Sequence, residues 1–139
     1  MKNINDIKLE NFPFQHTIKT RWRDLDAFRH VNNATFLTYI EDARILFFKR
    51  WKINLKEKSL MVASVKIDYI NQLMHPSNII IGQRVARLGT KSFDIQSALF
   101  LNKNLKLICV STITSVCYNF TKNKSVPVFN EIIKDYNCN

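Results

Sequence analysis

The 139-residue chain is 46% hydrophobic and 23% charged, a balance that fits one domain spanning 1–139 with an ordinary core and excludes a disordered tail. Twenty-one basic against eleven acidic side chains give a formal net charge of +10. These cations are spread along the chain with no dense basic run or aromatic-basic motif, so no nucleic-acid partner is expected; an anionic ligand or a solvated basic surface accounts for them.

The segment from Met1 to Asp6 has no apolar leader, so no signal peptide is expected. Phe14, His16, Ile18, Thr20 and Trp22 alternate with Gln15, Thr17, Lys19 and Arg21, which predicts a half-buried strand. A polar connection, Asp24 to Asn33, follows. From about 33 to 51 the period changes: Phe36, Ile40, Ala43, Phe47 and Trp51 form one stripe of an amphipathic helix, with Thr35, Thr38, Asp42 and Lys49 opposite and Asn54 as a candidate stop. Strands are then predicted over Met61–Tyr69, Ile79–Leu88 (with a possible bulge at Gly82), Ser92–Leu101 and Leu105–Tyr118. Residues 122–139 read as a polar C-terminal extension. Strand, one long helix, then four strands predicts an α+β layer architecture, the helix burying its stripe against an antiparallel sheet. No run approaches ~18 apolar residues, so no membrane span is expected. Cys109, Cys117 and Cys138 lack paired spacing and read as reduced thiols of a cytoplasmic protein.

The connection carries the chemistry. Asn32 or Asn33 can cap the helix, and Asp24 or Asp26 can form an Asx turn; a plain capped loop would need nothing more. Three features add to this. A helix start offers unpaired N–H groups able to stabilise an oxyanion. Asp26 lies close enough to Asn33 to fold back over that end, and Trp22 and Phe28 bracket the acid with aromatic bulk that would lower the local dielectric. A carboxylate beside an N–H clamp suits acyl transfer without serine or metal. Asp24 fits better as a turn acid paired with Arg21 or Arg23. Glu41 is either a helix-borne base or the partner of Arg44. His16 and His75 read as structural.

The stretch RWRDLDAFRHVNNATFLTYIEDAR, Arg21 to Arg44, resembles the signature of hotdog-fold acyl thioesterases of the 4-hydroxybenzoyl-CoA thioesterase superfamily, and its DLD…HVNN core is similar to that of acyl-ACP thioesterases. The likeness continues more loosely through VASVKIDY at Val62–Tyr69 and LGTKSF at Leu88–Phe93. It implies a hotdog fold, an antiparallel sheet of about five strands around one long helix, and hydrolysis of acyl thioesters, above all acyl-CoA. Under this resemblance Asp26 is the catalytic carboxylate, as nucleophile or as base for water. Asn33 supplies the N–H that polarises the carbonyl, and His30 supports them. Lys91 and Ser92 meet the nucleotide or pantetheine, and the acyl chain lies along Leu37, Phe48, Val62, Ala63 and on to Val65; by their charge alone, Arg87 and Lys91 are either phosphate contacts or solvated cations. No cofactor or metal is implied, CoA being part of the substrate. The expected partners are an acyl-CoA or acyl-carrier-protein thioester and a second copy of the chain, the homodimer pairing into a tetramer and sharing its sites. Two positions depart from the pattern. Arg29 stands where acyl-CoA members usually have glycine, and Phe28 stands where acyl-ACP enzymes place an asparagine; the second favours the simpler aspartate mechanism.

Overall fold

The computed structural model describes residues 4–138. Met1 to Asn3, at the start of the segment read for a leader, and Asn139, the end of the C-terminal extension, lie outside them. The first alternating run forms β1 (Phe14–Lys19), half-buried on the face that carries Phe14, His16 and Ile18. The strand ends three residues before Trp22, so that ring leaves the predicted stripe and is 76% exposed. After a 3-10 turn at Trp22–Asp24 and the connecting loop comes α1 (Asn33–Phe48), prolonged by a 3-10 turn at Lys49–Trp51. All five stripe residues from Phe36 to Trp51 are buried. The helix stops at Lys52, which takes the left-handed conformation (φ 55°), and not at Asn54. Asn54 instead folds the next turn, its Oδ1 accepting from the N–H groups of Lys56 (2.8 Å) and Lys58 (3.1 Å).

Four long strands follow: β2 (Ser59–Tyr69), β3 (Asn78–Leu88), β4 (Ser92–Leu101) and β5 (Leu107–Asn119). All pair antiparallel in the order β1-β3-β4-β5-β2. The sheet curls around α1. Ile40 packs with Ile79, Ile81, Leu99 and Ile113, and Phe47 and Trp51 pack with Val85, Phe93, Ile95 and Cys117. Burial of each such side chain contributes about 1.5–3 kcal/mol. Gln83 lies under the helix, fully buried, and its Nε2 donates to the Ile40 carbonyl at 3.2 Å.

Two strand details differ from the sequence expectation. Pairing runs unbroken through Gly82, and the irregularity lies between Val85 and Arg87. Gly82 is small for another reason: a Cβ there would come within 2.7 Å of the Phe12 side chain, which packs with Ala98 and Phe100 on the face turned away from α1. Cys109 and Cys117 are buried on β5 and Cys138 is exposed; burial pushes the Cys109 thiol up to about 12.

The C-terminal extension is not loose. After β6 (Lys124–Ser125), which pairs with the end of β5, the chain forms α2 (Asn130–Asn137). Ile132 is fully buried in the cluster around Trp51. Asp135 accepts hydrogen bonds from the Trp51 indole N–H and from Arg50 (2.7 Å), while Lys58 Nζ donates to Glu131 at 2.7 Å. Eight residues are too few to hold a helix in water, so docking on Trp51 makes it. Ile132→Ala should therefore lower unfolding stability by about 3 kcal/mol in a urea titration. A change near zero would return this segment to the status of a tail.

Candidate functional site

The two aspartates of the loop have opposite surroundings. Asp24 is 3% exposed. Its Oδ2 accepts from the Tyr39 hydroxyl (2.6 Å) and the Arg21 N–H (2.9 Å), and its Oδ1 from Arg21 Nη2 (3.1 Å). Burial opposes its charge, but the hydrogen bonds from Tyr39 and Arg21 outweigh burial and hold the carboxyl below the usual carboxylate range. The Tyr39 phenol is pushed well above its ordinary value by burial and by that same contact. Asp24 is thus the ion-pair acid expected, with Arg21 as its partner.

Asp26 makes the Asx turn. Its Oδ1 accepts from the N–H groups of Phe28 (2.8 Å) and His30 (3.2 Å). Its own N–H donates to the His30 carbonyl at 2.8 Å, and the Arg29 N–H donates to its carbonyl at 3.1 Å. Among the described residues Oδ2 has no hydrogen-bond partner. The tight turn drives Arg29 into the left-handed region, φ 64°. That is the conformation glycine adopts without steric cost, and it gives the glycine of the resembling pattern a physical reason.

Of the two candidate caps, Asn32 serves: its side chain accepts from the Ala34 N–H at 2.9 Å. Its carbonyl accepts from the Thr35 N–H (2.9 Å), and its N–H donates to the Asp24 carbonyl (2.8 Å). The Asn33 N–H is left as the donor at the helix end, and the Asn33 carbonyl accepts from the Tyr69 hydroxyl at 3.0 Å.

Asp26, His30 and Asn33, the three residues expected to be catalytic, come together on the wall of one cavity of about 450 Å³. Phe28, Val31, Phe36 and the segment Tyr69–Leu73 complete the wall. Phe28 is 80% exposed and Trp22 lies edge-on to His75 (6.3 Å), so the two rings do not enclose the acid. Sequence reasoning missed Tyr69, Asn71 and Gln72. Their only signal was the end of β2 and the turn after it, and their approach to α1 is set by the curl of the sheet.

The residues expected to bind substrate lie elsewhere on the chain. Ser92 is level with Val116 of β5, which pairs with Met61, whereas Tyr69 pairs with Cys109 at the other end of the same strand. Arg87 donates to Asp94 (2.9 Å) and Ser92 (3.1 Å), and Lys91 is exposed. Val62 and Ala63 are exposed on β2, and Leu37 is half-buried on α1. None of the six lines the cavity. Glu41 accepts from Arg44 Nη2 and also lies outside the cavity. His75 shares a 2.8 Å hydrogen bond with Thr20 Oγ1. Among the described residues no three His, Cys, Asp or Glu side chains gather to hold a metal ion, and no helix is long and apolar enough to cross a membrane.

Residues 20–134 match the model of the thioesterase-like superfamily. The uncharacterized protein YsmA of Bacillus subtilis is 31% identical over 98 residues, 69% of this chain and 65% of YsmA, so the match spans less than two thirds of that relative. The long-chain acyl-CoA thioesterase FadM of Escherichia coli is 24% identical over 123 residues, 85% of this chain and 92% of FadM. Among solved structures, a Thermus thermophilus thioesterase complexed with coenzyme A and Zn superposes with a TM-score of 0.80 at 28% identity, covering 90% of this chain and 98% of that one. With the family model spanning the loop, α1 and every later strand, the chain belongs to the thioesterase-like superfamily and has its hotdog fold.

Proposed function

We propose that this protein hydrolyses acyl thioesters and that acyl-CoA is its substrate. The observation that carries the reading is the meeting of Asp26 and the Asn33 N–H on one cavity, the carboxylate having an uncommitted oxygen and the N–H no helical acceptor. A thioester carbonyl seated between them would receive a hydrogen bond from Asn33 N–H as negative charge grows on its oxygen. Asp26 then attacks the carbonyl carbon, or takes a proton from a water that does so. In either route the carbon–sulfur bond breaks, the thiolate leaves and is protonated, and water supplies the oxygen of the free acid. His30, whose N–H and C=O both hold Asp26, supports the acid's position. Acyl-CoA is favoured because FadM acts on long-chain acyl-CoA and the Thermus thioesterase was crystallised with coenzyme A.

The reading includes a homodimer. β2 is an eleven-residue edge strand whose residues 61–66 are exposed on both faces, Met61, Val62 and Val65 among them. A bare apolar edge recruits another strand. A second copy pairing its β2 antiparallel about a twofold axis would cover it. The Met61 end of each strand would then lie beside the Tyr69 end of the other. Val62 and Ala63, and behind them Arg87, Lys91 and Ser92, would approach the cavity of the second protomer and bring cations to the CoA phosphates.

Two experiments test this. Asp26→Asn should lower kcat on acyl-CoA by about 10²-fold or more with the fold intact, in a panel that also includes acyl-carrier-protein thioesters. Hydrolysis at the wild-type rate would show that the Asp26 carboxylate does not carry the reaction, and a preference for the carrier thioesters would replace CoA as the substrate. Val65→Asp should convert the dimer to monomer in sedimentation and remove most activity; a dimer that survives it would place the interface elsewhere.

A further inference from the structure

We infer that Asp24 and Tyr39 are positioning residues that set the spacing between the Asp26 carboxylate and the Asn33 N–H. The inference rests on the catalytic reading of Asp26 and assigns the first aspartate of the loop a part in it. The Asx turn ties Asp26 to His30, and Asn33 opens the helix three residues further on, so their spacing also depends on how the loop is anchored to the body of the helix. The link between them runs through Asp24. Its carboxylate takes the Tyr39 hydroxyl at 2.6 Å, a bond from the second turn of α1 to a residue two positions before Asp26. Its carbonyl takes the Asn32 N–H at 2.8 Å, tying the capping residue to the same point. Arg21 grips the carboxylate from the strand side, through its N–H and its guanidinium. The base of the loop is closed by the Leu25–Val31 bridge and by the Val31 N–H donating to the Leu73 carbonyl at 2.8 Å.

The Tyr39–Asp24 bond is well suited to this work. Both side chains are almost fully buried, 1% and 3% exposed, so water does not compete for the bond. It is charge-assisted and short, the class that is strongest and most directional. The Tyr39 ring is fixed separately, packing edge-on against Phe36 with centroids 6.2 Å apart, so the hydroxyl can be removed without emptying the core. Tyr39 is absent from the cavity wall and its hydroxyl hydrogen-bonds to Asp24, so its effect on the reaction is expected to pass through Asp24. A misplacement of reacting groups by ~1 Å lowers rates by about 10²-fold, so a loosened node should be visible in the chemical step.

The test is Tyr39→Phe, alone and combined with Asp26→Asn. Alone it is expected to lower kcat about 10-fold or more while KM stays within about threefold, with circular dichroism and oligomeric state unchanged. In the Asp26→Asn background the same replacement is expected to leave the residual rate unchanged, because the group it positions is already gone. A structural role would show as lower stability and would not produce this non-additivity. Wild-type kcat in Tyr39→Phe, beside an inactive Asp26→Asn, would overturn the positioning inference and leave the proposed function standing. An equal loss in both backgrounds would also overturn it, showing that Tyr39 acts independently of Asp26. A fully active Asp26→Asn enzyme would remove the catalytic role of Asp26 and the positioning inference together.

Discussion

A helix start leaves backbone N–H groups with no intrahelical acceptor, and the local structure around the cavity depends on how this chain satisfies them. Asn32 takes the Ala34 N–H on its side chain and the Thr35 N–H on its carbonyl. Its own N–H goes to the Asp24 carbonyl, which pulls the incoming loop against the helix. What remains is the Asn33 N–H, held on the cavity wall because the next carbonyl along, that of Asn33, is tied by Tyr69 from β2. The cap and the proposed electrophilic donor are therefore neighbouring parts of one solution to one constraint.

The aspartates show how two residues of the same type, two positions apart, are given different chemistry by their surroundings. Asp24 is buried with all its capacity taken by Arg21 and Tyr39, and its charge serves to hold the loop and helix together. Asp26 spends one oxygen on the Asx turn and keeps the other free beside the cavity. The turn that does this strains the backbone at Arg29, a conformation that costs a residue with a Cβ about 1–2 kcal/mol. Strain at such a point fits a loop shaped by the position of its carboxylate more than by its own stability.

The rest of the fold holds this corner rigid. α1 is clamped along its length by the curled sheet and, near its far end, by α2 through Trp51 and Asp135. The exposed edge of β2 is the exception. Its strand shows apolar side chains on both faces, and the cations expected to meet CoA sit at that end of the sheet and not at the cavity. Both facts have a single account in the proposed twofold pairing.

Periodicity made most of the architecture legible. The stripe from Phe36 to Trp51 and the alternation within the strands are direct consequences of the 3.6 and 2.0 repeats, so the elements and the buried face of α1 could be read from residues alone. The loop could be read as well, because a cap, an Asx turn and a helix start are short-range events, and Asp26, His30 and Asn33 lie within eight residues of one another. Contacts between distant parts of the chain were not legible. Tyr69 reaches Asn33 across 36 positions and Trp51 meets Asp135 across 84, and no local pattern records either. For the same reason α2 read as a polar tail, Gly82 as a bulge and not as room for Phe12, and Trp22 as part of a half-buried strand beside the acid. The sequence by itself determined α1, the long strands and the proposed reacting corner, because these follow from patterns and bonds within a few residues. The tertiary structure alone decided what closes that corner and which edge is left open, because those depend on the curl of a sheet that brings remote segments together.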